Sequence, residues 1–227
     1  MKSPATEAAL LQHLETIVSA QGEIMLTLST KTRARLGVLA ITVLATGVAL
    51  AHPGHPDSTM NGSASMAAGF AHPFSGIDHL LAMLAVGVWA AQNKQRALWV
   101  LPLAFPLMMV MGALLAFSGV QVPGVETGIA ASVAVLGLLI AFAVRMPLWG
   151  STLVVSLFAM FHGYAHGVEL PHGSSAALYG TGFIVATALL HAAGLGIGLV
   201  AGQKMADRVV RIGGVGIAAV GAYLLAA

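Results

Sequence analysis

The sequence predicts an all-α, polytopic membrane protein with six transmembrane helices after a cleaved signal peptide, and three observations carry that prediction. Of the 227 residues, 58% are hydrophobic and 8% charged, with a mean hydropathy of +0.89. A soluble domain carries about 25% charged residues, so the solvent of this chain must be largely lipid. The apolar residues form continuous runs of spanning length rather than alternating, which argues against transmembrane strands. Finally, Lys and Arg fall singly between the runs, in a pattern that orients them.

The first run, residues 36–50, follows Lys31, Arg33 and Arg35 and ends in Ala49-Leu50-Ala51. A basic n-region, a short apolar h-region and an A-x-A site describe a secretory signal peptide. The competing reading is a first transmembrane helix, but the run falls short of the roughly 20 residues a span needs. Cleavage after Ala51 makes His52 the mature N-terminus. Residues 1–24 precede this pattern and read as a start assigned too far upstream, with a real cytoplasmic extension as the alternative. Counted from Met25, the signal falls in the usual range of about 15–30 residues. Residues 1–51 are thus extension and signal peptide. Residues 52–65, rich in Pro, Gly and Ser, form a periplasmic loop, and residues 66–227 form the six-helix domain.

The six spans are 66–91, 97–117, 127–144, 148–167, 175–201 and 209–226. Lys94 and Arg96 follow the first, Arg145 the third, and Lys204, Arg208 and Arg211 the fifth; residues 118–126 and 168–174 hold no Lys or Arg. The positive-inside rule makes every odd loop cytoplasmic and places both termini in the periplasm. A cleaved signal independently gives the same N-terminal side. The 27 glycines suit close helix–helix approach in lipid.

Ionisable groups inside such a chain are functional candidates, because lipid makes them costly. Between Ser58 and Ala206 the acids are Asp78, Glu126 and Glu169, beside six histidines. The first span carries His72-Pro-Phe-Ser-Gly-Ile-Asp78-His79. Seven helical steps return near the starting face, which would bring His72 and His79 together. Pro73 and Gly76 weaken that and leave open a broken helix whose freed carbonyls line a cavity; either form gathers two imidazoles and a carboxylate near one point. The fourth span ends in His162, His166 and Glu169 at i, i+4 and i+7, one helical stripe. Imidazole with carboxylate suits first-row divalent metals. With Glu126 opening the third span on the same side, these groups form a funnel toward the periplasm. His191 reads as a histidine bonded to a neighbouring helix, His172 as a solvated loop residue, and His52 and His55 as a tail at the mouth.

Other classes are disfavoured. The chain lacks cysteine, which excludes disulfides and thiolate sites. Met108, Met109 and Met111 do not repeat as a soft-metal ladder, arguing against copper(I). The pI near 9.2 comes from isolated bases, not a nucleic-acid patch. No G-x-x-x-x-G-K-[ST] loop occurs, so the chain has no ATPase of its own.

The run His72-Pro-Phe-Ser-Gly-Ile-Asp78-His79-Leu-Leu-Ala-Met83-Leu-Ala-Val-Gly87 closely resembles the signature of the HupE/UreJ family of nickel permeases. His162-Gly-Tyr-Ala-His166-Gly-Val-Glu169 is similar to that family's second motif, and the resemblance extends from His52 to the C-terminus. It implies a non-enzymatic permease moving Ni2+ from periplasm to cytoplasm for hydrogenase or urease maturation. Some members look like cobalt carriers. It also implies a transport role for Phe105 in the second span and for Glu126. The expected metal-contacting set is His72, Asp78, His79, Glu126, His162, His166 and Glu169, with Ni2+ (or Co2+) as cargo and no tightly bound cofactor. The expected partners are the ion and the bilayer, with oligomeric state unassigned. An intramembrane zinc hydrolase is the rival reading, because His72, His79, His166 and Glu169 imitate a ligand set with a general base. Against it, no His-Glu-x-x-His occurs and no serine is placed as a nucleophile.

Overall fold

The computed structural model describes residues 62–200 and 204–227, with side chains from 207 onward in the second stretch. The signal peptide, the extension, and the His52 and His55 tail lie outside these residues. The described chain is all α-helix: α1 (Gly62–Ser75), α2 (Ile77–Asn93), α3 (Ala97–Phe117), α4 (Val125–Ala141), α5 (Leu148–Val168), α6 (Ala176–Val200) and α7 (Lys204–Ala226). Four helices (α3, α5, α6 and most of α7) are long and apolar enough to cross a bilayer, and the α1–α2 pair makes five if it counts as one broken span. At 17 residues, α4 is shorter, about 25 Å.

The expected first span takes the broken of the two forms the sequence allows: it is two helices meeting at 83°, with the break at Gly76. Pro73 cannot donate to the Gly69 carbonyl, and Gly76 adopts an extended backbone at φ −106°, ψ 125°. Asp78 then falls in the first turn of α2, where the helix dipole favours negative charge. Helix α1 also begins at Gly62, inside the segment expected as a loop, and its Ser65 hydroxyl accepts a 3.2 Å bond from the Ser175 N–H. The other boundaries move by a few residues. The largest shift is in α7, which starts at Lys204 and so takes Arg208 and Arg211 into its first two turns.

The bundle buries small residues and presents large apolar ones outward. Leu107 is 66% exposed, Trp149 74% and Ile212 70%. In water such a surface would drive aggregation; in lipid it is the ordinary exterior. The interior is held by close backbone approach. A Cβ on Gly112 of α3 would strike the Met160 carbonyl of α5, and one on Gly163 would strike Met109 in return. Gly87 of α2 and Gly194 of α6 make the same reciprocal contact, with His191 and Leu84. Helix α1 packs on the beginning of α6, where a Cβ on Gly69 would meet the Tyr179 backbone, and α2 covers the rest of α6.

The two ends of the bundle differ in charge. At one end the last turn of α4 and the residues just after it are tied to α2 and α7. Trp89 Nε1 donates to the Val144 carbonyl (2.8 Å), Gln92 Nε2 to Ile140 (3.2 Å) and Arg211 Nε to Ala141 (2.8 Å). Lys94, Arg96, Arg145 and Arg208 lie in or beside these segments. The opposite end carries Glu126 and Glu169. There Tyr164 pins residues 118–124, donating to the Val120 carbonyl (2.9 Å) and accepting from the Val122 N–H (3.3 Å).

Candidate metal site

The helix break brings the first motif into the bundle. Asp78 Oδ1 accepts two hydrogen bonds from the next residue, from the His79 backbone N–H at 2.8 Å and from Nδ1 at 2.7 Å. Gly76 makes room for this pair, since a Cβ there would stand 2.6 Å from Asp78 Oδ1 and 3.0 Å from His79 Nδ1. A carboxylate can only accept, so His79 Nδ1 carries a proton, and the neutral ring then presents the Nε2 lone pair. That Nε2 is buried and has no protein partner. A carboxylate holding one imidazole nitrogen while the other faces a cation is the usual arrangement of a metal-ligating histidine.

His72 comes from the last turn of α1, His79 from α2 and His166 from α5. One ligand nitrogen of each lies within 4.8 Å of the others. The His166 ring centroid is 4.8 Å from that of His72 and 4.5 Å from that of His79. Both His166 nitrogens are buried without partners. Phe183 (4.3 Å from His166) and Tyr179 (6.0 Å from His72) wall the cluster on the α6 side. Three convergent imidazoles can hold a borderline divalent ion and leave further positions to water.

The remaining expected residues surround this triad at different depths. His162, one turn from His166, is fully buried, and its ring lies 5.1 Å from that of His79. Ser132 Oγ spends its proton on the Ile129 carbonyl (2.6 Å) and so accepts from His162 Nε2 (2.9 Å), leaving His162 Nδ1 unpartnered. Glu169 is not on the helical stripe: it stands just past the end of α5, half exposed, with Oε2 4.0 Å from His72 Nε2. Partial burial holds its carboxyl above the ordinary range; the nearby His79 opposes this, and the Glu126 and Asp78 charges add to it. Glu126 is exposed in the first turn of α4, on the same end as Glu169. Phe105 is fully buried between two imidazoles, 5.8 Å from the His162 ring and 5.3 Å from His191. His172 is exposed. Ser132, Tyr179 and Phe183 carried no sequence signal, because each is an ordinary residue of an apolar helix.

The family model described as HupE / UreJ protein matches residues 39–224, well over half of the chain. The chain belongs to the HupE/UreJ family. It is also 45% identical over 179 residues to Protein HupE of Rhizobium leguminosarum bv. viciae, covering 78% of this chain and 90% of that protein. No solved structure matches it. Both motifs of this HupE/UreJ protein, His72–His79 and His162–Glu169, lie within the matched region, and three of their histidines form the triad.

Proposed function

We propose that this protein is a permease that carries Ni2+ across the bacterial inner membrane from the periplasm to the cytoplasm, supplying hydrogenase or urease maturation. The observation that carries the reading is the meeting of His72, His79 and His166, from three separate helices, within 4.8 Å. Ionisable groups in lipid are costly, about 2.5–3.5 kcal/mol for an aspartate at mid-helix on insertion scales, and mark ion pathways. Three imidazoles, one of them oriented by the Asp78 carboxylate, can capture a dication. Completion of the shell by water leaves binding weak enough for release, which conduction requires. Asp78, Glu169 and Glu126 supply negative charge toward one end, a field that draws cations in. The positive-inside rule puts the Lys and Arg end in the cytoplasm, and with it the acidic mouth and both termini in the periplasm. On this reading the chain crosses six times, the α1–α2 pair counting once and α4 crossing a locally thinned bilayer.

The rival is an intramembrane zinc hydrolase, favoured by one observation: three histidines around an open position are also a catalytic zinc set. Purified protein in liposomes separates the two. Accumulation of radioactive Ni2+ inside, reduced by competing Co2+ if cobalt is also carried, supports the permease. Hydrolysis of a peptide or ester without metal flux overturns it.

A further inference from the structure

We infer that His191 is a second cation-binding station, reached from the histidine cluster by passing the Phe105 ring. The inference rests on the permease reading. A single membrane histidine is often no more than a partner for a neighbouring helix, so the case depends on what surrounds it. Pro106 has no N–H, and the Pro102 carbonyl one turn earlier in α3 is therefore without its helical donor. That carbonyl lies on the His191 side of α3, and neither ring nitrogen of the buried His191 has a protein hydrogen-bond partner. It can engage one ring nitrogen, the one bearing the proton. The other keeps a lone pair without a protein partner at a residue 1% exposed. A carbonyl here stands where the Asp78 carboxylate stands beside His79, without the 2.7 Å hydrogen bond formed there.

Continuity supplies the second argument. The rings His72, His166, His79, His162, Phe105 and His191 succeed one another at centroid distances of 4.8, 4.5, 5.1, 5.8 and 5.3 Å. His191 lies eight residues beyond Phe183, about 12 Å along α6 toward the basic end. One turn back on the same helix, Thr187 bonds the Met83 sulfur at 3.5 Å. Further toward the basic end the Gln92 Oε1 is buried and unpartnered. Phe105 is the one apolar link in the line, and its π face attracts a cation during passage.

The test uses full-length protein in liposomes with radioactive Ni2+, and equilibrium Ni2+ binding in detergent. His191→Gln retains a donor for the Pro102 carbonyl but is a poor ligand. It should bind Ni2+ at the cluster as the wild type does while uptake falls by about 10- to 100-fold. His191→Leu combined with Pro106→Ala, which returns an N–H to the Pro102 carbonyl, should be equally slow, and it carries the test if His191→Gln fails to accumulate. Wild-type uptake by either variant overturns the inference, as does loss of cluster binding in His191→Gln. Failure of the permease reading is seen separately, as absence of uptake by the wild type.

Discussion

His79 and His162 each keep a free lone pair because a neighbour has taken the other ring nitrogen. Asp78 does this for His79 at 2.7 Å and Ser132 for His162 at 2.9 Å. Replacing Ser132 by Ala leaves a buried ring N–H without an acceptor, costing about 1–3 kcal/mol. Ser132→Ala should therefore insert normally but unfold at a lower temperature in detergent; an unchanged midpoint would mean that the bond contributes nothing. His72, Asp78, His79 and His166 were legible in the sequence because a charge or imidazole in an apolar run has no cheap explanation. Ser132 was not, since a serine in a membrane helix ordinarily bonds its own preceding turn, and this one does that as well. Phe105 is silent for another reason: an aromatic among leucines looks like packing until its neighbours are known. Glu169 was expected on a helical stripe with His162 and His166, but that helix ends one residue before it.

Two element-level features build the site, the break at Gly76 and the close contact of α3 with α5. The sequence left the first span open between a continuous and a broken helix, because Pro73 alone is tolerated when neighbours satisfy the freed carbonyl. Gly76 decides it, since it admits the Asp78–His79 pair above its Cα. Gly76→Ala should displace that pair and lower Ni2+ affinity by about 10- to 100-fold, measured by equilibrium binding; wild-type affinity would separate the break from the site. At the second feature, Gly163→Ala places a methyl against the Met109 backbone and should cost about 1–3 kcal/mol. Gly180, with open space around it, is the control: Gly180→Ala should leave stability equal or raised by up to about 1 kcal/mol. Thermal unfolding of the pair in detergent checks both; equal midpoints for the two variants would refute the packing argument. Spans two, four and five were legible nearly to the residue because lipid demands unbroken apolar length. The start of α7 was not, because its first turns carry Lys204, Arg208 and Arg211 and resemble a loop.

Across the whole molecule, charge polarity and the imidazole line run along the same axis. Glu126 and Glu169 stand at one end, the basic segments at the other, and the triad lies nearer the acids. Reporter fusions after Ala227 should be active with a periplasmic enzyme and silent with a cytoplasmic one; the opposite result would reverse the direction of transport proposed here. N-terminal sequencing of the membrane-inserted protein should begin at His52, and an intact 36–50 segment would refute cleavage. The polarity was readable from the loops alone, whereas the convergence of three helices on one point was not, because spacing along a chain does not say which helices meet. Transport requires a cation held where Asp78 orients His79, and one comparison tests that most directly. Radioactive Ni2+ uptake into liposomes should be measured for wild type, Asp78→Glu and Asp78→Asn at matched protein levels. The wild type should accumulate Ni2+, Asp78→Glu should retain part of that rate, and Asp78→Asn should insert normally yet lose uptake, because an amide removes the charge that offsets the dication. Uptake by Asp78→Asn at the wild-type rate would contradict the account.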